Sequence, residues 1–377
     1  MLPQNLRRPV FHRQRQDEPG RLPAGTRRRG SGLRSQARPR PRSRHGMTIR
    51  KATAAGDPIC ILFCIDRAYL HQAGVTLGSI LEHNPTTAFE VYVAGFARDP
   101  AASEAIFARL AARHGSCTIR YADLEEGLFA DLPVTRQFSA SIYTRIVLDR
   151  FIDRRHGRVL YLDADTVVRS DLRGLWTTPL EGYVLAAVQD HFRLDSEAIG
   201  FAADEPYFNS GVLLINMHAW RAEACEGRVL AYLGETGRDL PWMDQDALNV
   251  VLRGRVRFLD LGWNFQPRCA DVPAGFLGLT SAAYAALRAD PYLIHYTTSQ
   301  KPWNAAHRVH YSRDFFAAAR TAGLGSLLDA PPARGAKERL DAVKTRLRWH
   351  FPSIFRAFRR LLKPEAAAMM YRARAGG

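Results

Sequence analysis

Two aspartates separated by one residue follow a short apolar run in the segment RVLYLDADTVVRSDL, Arg158 to Leu172. The run 158–162 predicts a buried strand, and Asp163 and Asp165 come directly after it. Two carboxylates at one point can hold a divalent cation that keeps coordination sites for substrate phosphate oxygens. The competing interpretation is an Asx turn with a capping aspartate, which is the commoner role of an isolated Asp-x-Asp pair.

The same residues allow a second chemical interpretation. Residues 163–167 fit the pattern D-x-D-x-[TV], which resembles the haloacid-dehalogenase phosphatases, whose first aspartate is a nucleophile. That family carries the motif on the first strand of its domain, whereas several strands and helices are predicted before Asp163 here. A phosphatase therefore stays as a minor alternative.

A histidine and a lysine stand close together near the other end of the globular region, in HYTTSQKPW. A lone histidine after a strand is usually structural, but His295 has Lys301 one loop away. An imidazole can complete a metal site and an ammonium group can neutralise phosphate. Pro302 and Trp303 would stiffen and anchor that loop.

Alternating strands and helices are expected to position these side chains. The predicted strands are 59–66, 89–96, 117–124 and 158–168, and the predicted helices are 69–84, 100–115 and 139–152, the last with Ser139 as its cap. This order predicts a mostly parallel α/β sheet with helices on both faces. Ligands bind beyond the carboxyl ends of such strands, where Asp66, Asp163 and Asp165 lie.

The second half of the sequence is more mixed. It predicts a strand over 182–190 that ends in Asp190, a turn, strand and helix start over 207–221, a helix over 243–252, and a strand with a following loop over 290–304. Helical but strongly basic sequence follows from about residue 335.

Positive charge is concentrated at the two ends of the chain. The formal net charge is +16, of which residues 1–46 carry +11 and residues 333–377 carry +9, so that residues 47–332 carry −4. We therefore predict an Arg-rich disordered extension over 1–46, one acidic globular domain over 47–332 and a basic helical tail over 333–377. A nucleic-acid-binding protein with an acidic scaffold is the alternative from another class, although no such binding motif accompanies the charge.

The N-terminal extension contains no apolar segment of a secretory signal, and we favour Met47 as the start of translation over a basic tail for anionic surfaces. Five cysteines without framework spacing are expected to be small core residues, which fits a reducing compartment. A run of 18 apolar residues, as a membrane span requires, does not occur.

Aromatic and aliphatic residues recur among the arginines of the tail. Their spacing over 354–362 predicts a helix with one apolar face edged by Arg356, Arg359 and Arg360. Such a helix is typical of binding to an anionic lipid surface. A basic helix that packs on the protein core is the alternative, and nucleic-acid binding is a weaker one.

Taken together, these motifs resemble a known family, the retaining glycosyltransferases of family 8, which have a GT-A fold and use nucleotide-sugars. The similarity runs from about Ile59 to Trp303 and rests on the ordered motifs FCIDRAY, SIYTRIVL, RVLYLDADTVV, YFNSGVLLINMHAWR, WMDQDALN and HYTTSQKPW. Within the family, the sequence resembles bacterial lipopolysaccharide galactosyl- and glucosyltransferases. The resemblance implies a single Rossmann-like GT-A domain with a mostly parallel central sheet.

The resemblance also implies roles for individual residues. Donor binding would involve Cys64, Ile65, Asp66 and Tyr69 at the uridine, Ala164 at the ribose, Arg145 near the diphosphate or sugar, Lys301 at phosphate, and Asn209, Ser210 and Gly211 around the sugar. Asp163, Asp165 and His295 would bind Mn²⁺, with Mg²⁺ as the alternative. Asp244 would bind sugar hydroxyls, Gln245 would lie beneath the anomeric carbon, and Asp190 would lie near the sugar or acceptor.

Two positions depart from the family pattern. The family loop is commonly H-x-x-G-x-x-K-P-W, whereas Thr298 stands at the glycine position here, and a β-branched residue resists positive φ. The family often has a polar pair after the first strand, where Arg67 and Ala68 stand instead. The loop backbone and one ribose or base contact are therefore in doubt, whereas the metal ligands are present.

The expected activity is metal-dependent, retaining transfer of glucose or galactose from a UDP-sugar to a saccharide or lipid-linked saccharide at the inner face of the cell membrane. The residue expected beneath the anomeric carbon is Gln245, an amide and a poor nucleophile. We therefore favour front-face transfer, in which the leaving phosphate takes the acceptor proton, over double displacement through Asp190. A relative that only binds ligand is the third hypothesis, which the complete set of metal ligands disfavours.

Overall fold

The apolar runs of the sequence form strands, and amphipathic segments between them form helices. The computed structural model describes residues 57–325 except 96–99, 125–126, 130–131, 133–139, 194–195, 203, 237–239 and 305–308. The strands are β1 Ile59–Cys64, β2 Phe89–Gly95, β3 Cys117–Asp123, β4 Arg158–Leu162, β5 Thr166–Val168, β6 Leu185–Gln189, β7 Phe208–Asn216, β8 Val256–Phe258 and β9 Leu293–His295. The α-helices are α1 Leu70–His83, α2 Pro100–His114, α3 Arg173–Trp176, α4 Met217–Ala222, α5 Cys225–Thr236, α6 Met243–Val251, α7 Ser281–Ala289 and α8 Ser312–Thr321.

Seven of these strands form the central sheet, in the order β3-β2-β1-β4-β7-β6-β8. Strands β3, β2, β1 and β4 are parallel, β7 runs antiparallel to both β4 and β6, and β8 is parallel to β6. The prediction of a mostly parallel sheet is confirmed, and the carboxyl ends of β1 and β4 meet at one edge. Asp66 and Asp163 follow these two ends.

Side chains on the two faces of the sheet pack into separate cores. Ile59, Ile61 and Phe63 of β1 pack with α1, α2 and α8, whereas Cys60 and Leu62 pack on the opposite face. The opposite core also receives side chains from α4, α5 and α6. Alternation along β1 therefore explains why a continuous apolar run is needed in a strand that is covered on both faces.

The run RVLYLDADTVV was predicted to be one strand, and this was wrong. β4 ends at Leu162, residues 163–165 turn, and β5 pairs with β9 in a separate two-stranded sheet. The hydroxyl of Thr76 on α1 donates to the carbonyls of Ala164 (2.9 Å) and Thr166 (2.7 Å). The single proton of this buried hydroxyl is thus shared between the two carbonyl groups on either side of Asp165.

The predicted α-helix over 139–152 is also wrong. Residues Ala140–Arg145 and Leu148–Arg150 form two 3-10 helices. Residues 143–148 are consecutively buried, which an α-helix with one solvent-exposed face does not permit, and the amide of Ile146 donates to the carbonyl of Tyr143 in the tighter i to i−3 pattern. The predicted cap Ser139 lies outside the described residues.

The predicted extension 1–46 and tail 333–377 both lie outside the described residues, and the two boundaries between the three segments remain predictions. Within 57–325, apart from the gaps given above, no helix has the length and apolarity needed to cross a bilayer. The five cysteines are all free thiols, and Cys60, Cys225 and Cys269 are buried, as small core residues would be.

Candidate functional site

The two aspartates of the Asp-x-Asp motif lie beside His295, although the histidine is far away in the sequence. Pairing of β5 with β9 sets Thr166 opposite His295. Nε2 of His295 is 3.4 Å from Oδ2 of Asp163 and 3.2 Å from Oδ1 of Asp165. One ligand atom from each of the three residues lies within 4.8 Å of the others, so this cluster can hold a metal ion.

A glycine leaves the space that this cluster needs. A Cβ atom at Gly211 of β7 would lie 2.1 Å from Cε1 of His295 and 2.6 Å from Oδ2 of Asp163. No other residue type fits without displacing two of the three expected ligands. Carboxylate oxygens and an imidazole nitrogen suit Mn²⁺ as well as related divalent cations, so the residues fit the expected metal. Gly211 thus borders the metal ligands directly.

Two cationic side chains flank the aspartates. The ammonium group of Lys301 donates to Asp165 and to the carbonyl of Tyr296 (2.6 Å). Nη2 of Arg145 is 3.2 Å from Oδ1 of Asp163, and its guanidinium carbon lies 4.4 Å from the centre of the Tyr161 ring. Lys301, expected at phosphate, and Arg145, expected near the diphosphate or sugar, therefore both lie beside the two aspartates.

Opposite charges set the pKa values in this cluster. Burial alone would raise the pKa of Asp165, but Lys301 and His295 outweigh burial and hold that pKa below its ordinary value. Burial alone would lower the pKa of His295, but Asp165 and Asp163 outweigh it and raise that pKa to about 9. Both carboxylates, whose pKa values are held below the ordinary value, are therefore ionised at neutral pH, as carboxylate ligands of a metal ion must be.

The predicted uridine-binding residues follow β1 at the same sheet edge. Asp66 accepts hydrogen bonds from the amides of Ala68 (3.0 Å) and Tyr69 (3.2 Å), so it caps the 3-10 turn over 67–69. Ile65 is almost completely buried, and its backbone amide donates to the carbonyl of Ala94 (2.9 Å). Tyr69 is 36% exposed and makes an edge contact with Trp303. Its exposed ring is the part of this group that is available for stacking on a base.

The predicted sugar-pocket residues form one buried hydrogen-bond network. Oε1 of Gln245 accepts from Nδ2 of Asn209 (3.2 Å), from the amide of Ser210 (2.9 Å) and from the Ser210 hydroxyl (3.3 Å). Nδ2 of Asn209 also donates to Oδ2 of Asp190 (3.3 Å). Residues from β7, α6 and the loop after β6 therefore meet at one point, and their role at a donor sugar stays a prediction.

Asp244 lies on the first turn of α6 with an incompletely satisfied carboxylate. Its Oδ2 has no hydrogen-bond partner among the described residues, because Nε of Arg145, 3.3 Å away, donates to the carbonyl of Ile142. Burial raises the pKa of Asp244, Arg145 lowers it, and the net result is about 6. A buried acceptor without a donor is well suited to a substrate hydroxyl group.

Three residues that the sequence analysis did not select support this site. Asn264 lies between His295 and Asn209, Arg193 pairs with Asp246 at 3.1 Å, and Arg268 is 3.3 Å from Asp190. The fully buried Asp246 also accepts from Tyr207 and from the amide of Trp242. A polar residue within an apolar segment, as in LGWNFQ, was the signal that could have identified Asn264.

The two places where the sequence departs from the family pattern, Thr298 and the pair Arg67 and Ala68, both lie among the described residues. Thr298 adopts φ 72°, so the loop keeps a left-handed backbone at the position where glycine is expected. Arg67 and Ala68 are exposed in the capped 3-10 turn after β1, next to Tyr69. The loop conformation therefore tolerates threonine, at a cost in backbone strain.

Comparisons with known proteins agree with this geometry. The family model described as glycosyl transferase family 8 matches residues 60–307. A putative glycosyltransferase of Haemophilus influenzae is 29% identical over 218 residues, 56% of this chain, and the match spans 64% of that relative's length. The lipopolysaccharide 1,2-glucosyltransferase of Escherichia coli is 27% identical over 251 residues, 65% of this chain and 72% of that protein.

A solved structure shares the fold. The crystal structure of the galactosyltransferase LgtC in complex with donor and acceptor sugar analogs is similar with a TM-score of 0.58 and 28% identity, covering 73% of this chain and 98% of that chain. Neither the phosphatase nor the nucleic-acid-binding alternative accounts for a match that includes Asp163, Asp165, Asp244 and His295. The chain belongs to glycosyl transferase family 8.

Proposed function

We propose that this protein transfers a hexose, glucose or galactose, from a UDP-sugar to a saccharide or lipopolysaccharide acceptor, with retention of anomeric configuration and with a divalent metal ion. The observation that carries the proposal is the cluster of Asp163, Asp165 and His295 beside Lys301 at the carboxyl edge of the sheet. The similarity to the E. coli lipopolysaccharide 1,2-glucosyltransferase and to the galactosyltransferase LgtC supports a hexose donor.

Asp163, Asp165 and His295 would hold the ion, with Mn²⁺ as the first candidate and Mg²⁺ as the second. When bound, such an ion neutralises the charge that develops on a nucleoside diphosphate leaving group. Lys301 and Arg145 contribute fixed positive charge on either side of the same position. Preorganised cations in a buried site stabilise a developing anion because they need no reorganisation when the bond breaks.

The remaining residues would bind the other parts of the donor. Tyr69 presents an exposed ring for the uracil base, and the backbone at Ala164 lies at the turn where the ribose would bind. Oδ2 of Asp244 would accept a hydrogen bond from a sugar hydroxyl, and Asn209 with Ser210 would line the sugar pocket. Each role is carried over from the family motif and is supported by the position of the residue at this edge.

Hydrogen bonding around Gln245 and Asp190 favours front-face transfer. Oε1 of Gln245 is held by three donors, which reduces the electron density it could offer to an anomeric carbon. Asp190 is likewise engaged: Oδ1 accepts from Arg268 and the Phe192 amide, and Oδ2 accepts from Asn209. We infer that the acceptor hydroxyl attacks from the face that UDP leaves, and that the departing phosphate oxygen takes its proton.

Double displacement through Asp190 remains the alternative mechanism. It requires a covalent hexosyl ester on Asp190, as forms on the nucleophilic carboxylate of retaining glycosidases. Intact-protein mass spectrometry after rapid mixing with UDP-hexose distinguishes the two routes. A hexosyl adduct that maps to Asp190 and decays at the rate of turnover would show that double displacement, and not front-face transfer, takes place.

A panel of UDP-glucose, UDP-galactose and other nucleotide-sugars tests the proposed function. We expect slow hydrolysis of one UDP-hexose in the presence of Mn²⁺, loss of that activity in excess chelator, and recovery when Mn²⁺ is added back. Asp165→Asn should lack the activity, whereas Asp171→Asn, which removes a half-exposed carboxylate paired with Arg173, should keep it. Metal-independent hydrolysis, or no binding of any UDP-sugar by the wild-type protein, would contradict the proposal.

We further propose that the acceptor is membrane-bound and that the basic tail 333–377 brings the enzyme to the anionic inner face of the cell membrane. The supporting features are the arginine-edged apolar face predicted over 354–362 and the lipopolysaccharide acceptor named for the E. coli relative. No nucleic-acid partner is expected, because the family motifs account for the globular part.

A further inference from the structure

Asn264 is completely buried between the metal-binding cluster and the sugar pocket. It ends a 3-10 turn, Leu261–Asn264, that begins after the capping residue Asp260. The next residue, Phe265, donates its amide to Leu293 and accepts from the amide of His295, so this segment runs beside β9. These backbone hydrogen bonds therefore hold the Asn264 side chain next to His295.

The orientation of the Asn264 amide follows from a chain of donors and acceptors. The backbone N–H group of Gly211 can only donate, and it donates to Oδ1 of Asn209 (3.1 Å). Oδ1 of Asn209 is therefore an acceptor, and the group 2.9 Å away on Asn264 must be its NH₂. Oδ1 of Asn264 then faces Nδ1 of His295 at 2.8 Å, where it accepts a hydrogen bond.

This hydrogen bond decides which nitrogen of His295 can be a ligand. Nε2 is the nitrogen that faces Asp163 and Asp165. If Nδ1 carries the proton that is donated to Asn264, the lone pair of Nε2 is available to bind a metal ion. Histidines that bind metals commonly donate their other ring N–H to a neighbouring acceptor, which sets the tautomer and ring orientation. Here the acceptor is a neutral amide whose other end donates to Asn209 of the sugar pocket.

We propose that Asn264 is a positioning residue that holds His295 with Nε2 toward the two aspartates and joins the metal site to the donor-sugar pocket. The inference rests on the proposed function. The side-chain amide of Asn209 donates in turn to Gln245 (3.2 Å) and to Asp190 (3.3 Å). A shift of His295 would therefore move Asn264, and with it the Asn209 amide that holds both of these side chains. Metal binding and sugar orientation are thereby coupled through one buried side chain.

Two substitutions test separately the hydrogen bond of Asn264 with His295 and its hydrogen bond with Asn209. Asn264→Ala removes both hydrogen bonds, and we expect Mn²⁺ affinity, measured by calorimetry with saturating UDP, to fall about 10- to 100-fold. Asn264→Asp keeps an acceptor for His295 but loses the donor to Asn209. We expect it to retain Mn²⁺ affinity within about threefold of wild type while kcat for UDP-hexose hydrolysis falls at least about tenfold.

Asn84→Ala is the matched control for loss of a buried asparagine. Asn84 is as buried as Asn264, donates to the carbonyl of Ile80 (2.8 Å) and accepts from the amide of Leu172 (2.8 Å), away from the metal cluster. It should lower thermal stability without changing Mn²⁺ affinity. If Asn264→Ala binds Mn²⁺ like wild type while its stability falls as in Asn84→Ala, then Asn264 is only structural and the inference is wrong.

A measurement on the unaltered protein covers the case in which the variants do not fold. With Mg²⁺ and UDP bound, nitrogen-15 spectra should show His295 protonated at Nδ1. Protonation at Nε2 instead would overturn the inference. A wild-type protein that binds neither Mn²⁺ nor UDP would overturn the proposed function as well, whereas normal wild-type binding with unaffected Asn264 variants would overturn this inference alone.

Discussion

Nε of Arg145 lies 3.3 Å from Oδ2 of Asp244, and both side chains are buried. This proximity does not compensate Asp244 for the loss of water, because Arg145 is shared with Asp163 at 3.2 Å. Burial raises the pKa of Asp244 from 3.8 to about 6 despite the arginine. The ionised carboxylate of Asp244 therefore lowers the free energy of unfolding, and a sugar hydroxyl that donates to it would reduce this penalty.

Asp244→Asn should stabilise the metal-free, UDP-free protein above pH 6 while it lowers activity. Below pH 3.8 both folded and unfolded Asp244 are protonated; between 3.8 and about 6 only the folded state keeps the proton, so wild-type stability falls as pH rises through this window. We expect the variant to be about 1–3 kcal/mol more stable than wild type at pH 8. Urea unfolding at pH 4 and pH 8 measures the difference, which should nearly vanish at pH 4.

Asp246→Asn on the same helical turn is the control for this prediction. Its carboxylate pairs with the buried Arg193 and accepts from Tyr207 at 2.7 Å. The substitution breaks the buried ion pair between Asp246 and Arg193, and we expect the free energy of unfolding to fall by about 3 kcal/mol at pH 8. If both variants lose stability alike, the buried charge of Asp244 does not destabilise the protein and this prediction is wrong.

Asp165→Asn should abolish Mn²⁺-dependent UDP binding. Asp165 is one of three expected ligands and also pairs with Lys301, so its loss removes both a ligand and the group that orients the lysine. Calorimetry with UDP and Mn²⁺ should show at least about a 100-fold loss of affinity. Circular dichroism should show an intact fold; an unfolded variant and no metal binding by the wild type would instead support a capping role.

Thr298→Gly should stabilise the loop that carries Lys301. Thr298 has φ 72°, where a left-handed conformation costs a residue with a Cβ roughly 1–2 kcal/mol. Glycine avoids that cost, although its greater conformational entropy in the unfolded chain offsets part of the gain. We expect a net gain of about 0.5–1 kcal/mol in unfolding free energy. Thr297→Gly is the control: Thr297 donates to Oε1 of Gln266 (3.0 Å), so this change should destabilise. Equal effects at both positions would argue against strain at Thr298.

Deletion of residues 1–46 should leave melting temperature and UDP-hexose hydrolysis unchanged. The segment holds 13 arginines and few apolar residues, so it cannot contribute to a core. Differential scanning calorimetry on the protein that begins at Met47 checks this expectation. A fall of several degrees would show that the extension packs on the globular domain.

Replacement of Phe355 and Phe358 by serine should release the protein from anionic vesicles. Each arginine near an anionic leaflet contributes about 1 kcal/mol, and each buried phenylalanine roughly 1.5–3 kcal/mol. Flotation with vesicles of anionic and of neutral phospholipid, at low and high salt, measures the association, and hydrolysis of UDP-hexose should persist. A double variant that still floats, or hydrolysis that falls as much as transfer, would assign the tail to the protein core.

The amino-acid order alone was enough to predict the main architecture. Apolar runs that end in Asp66, Asp163 and Asp190 indicated strands that deliver carboxylates to one edge, and the structure has those strands. Hydrophobic periodicity reports burial along a segment, so long helices such as α1 and α6 were also predicted from local sequence. The family motifs suggested which side chains should meet at that edge.

Contacts between distant segments decided the rest. Pairing of β5 with β9 moved Asp165 into a turn and brought His295 beside it, and neither strand of three residues had a periodic signal of its own. Burial from both sides made residues 140–150 two 3-10 helices rather than one α-helix. The role of Asn264 arises only because the segment before Phe265 runs beside β9. Hydrogen bonds of this kind depend on packing between elements, which local sequence does not encode.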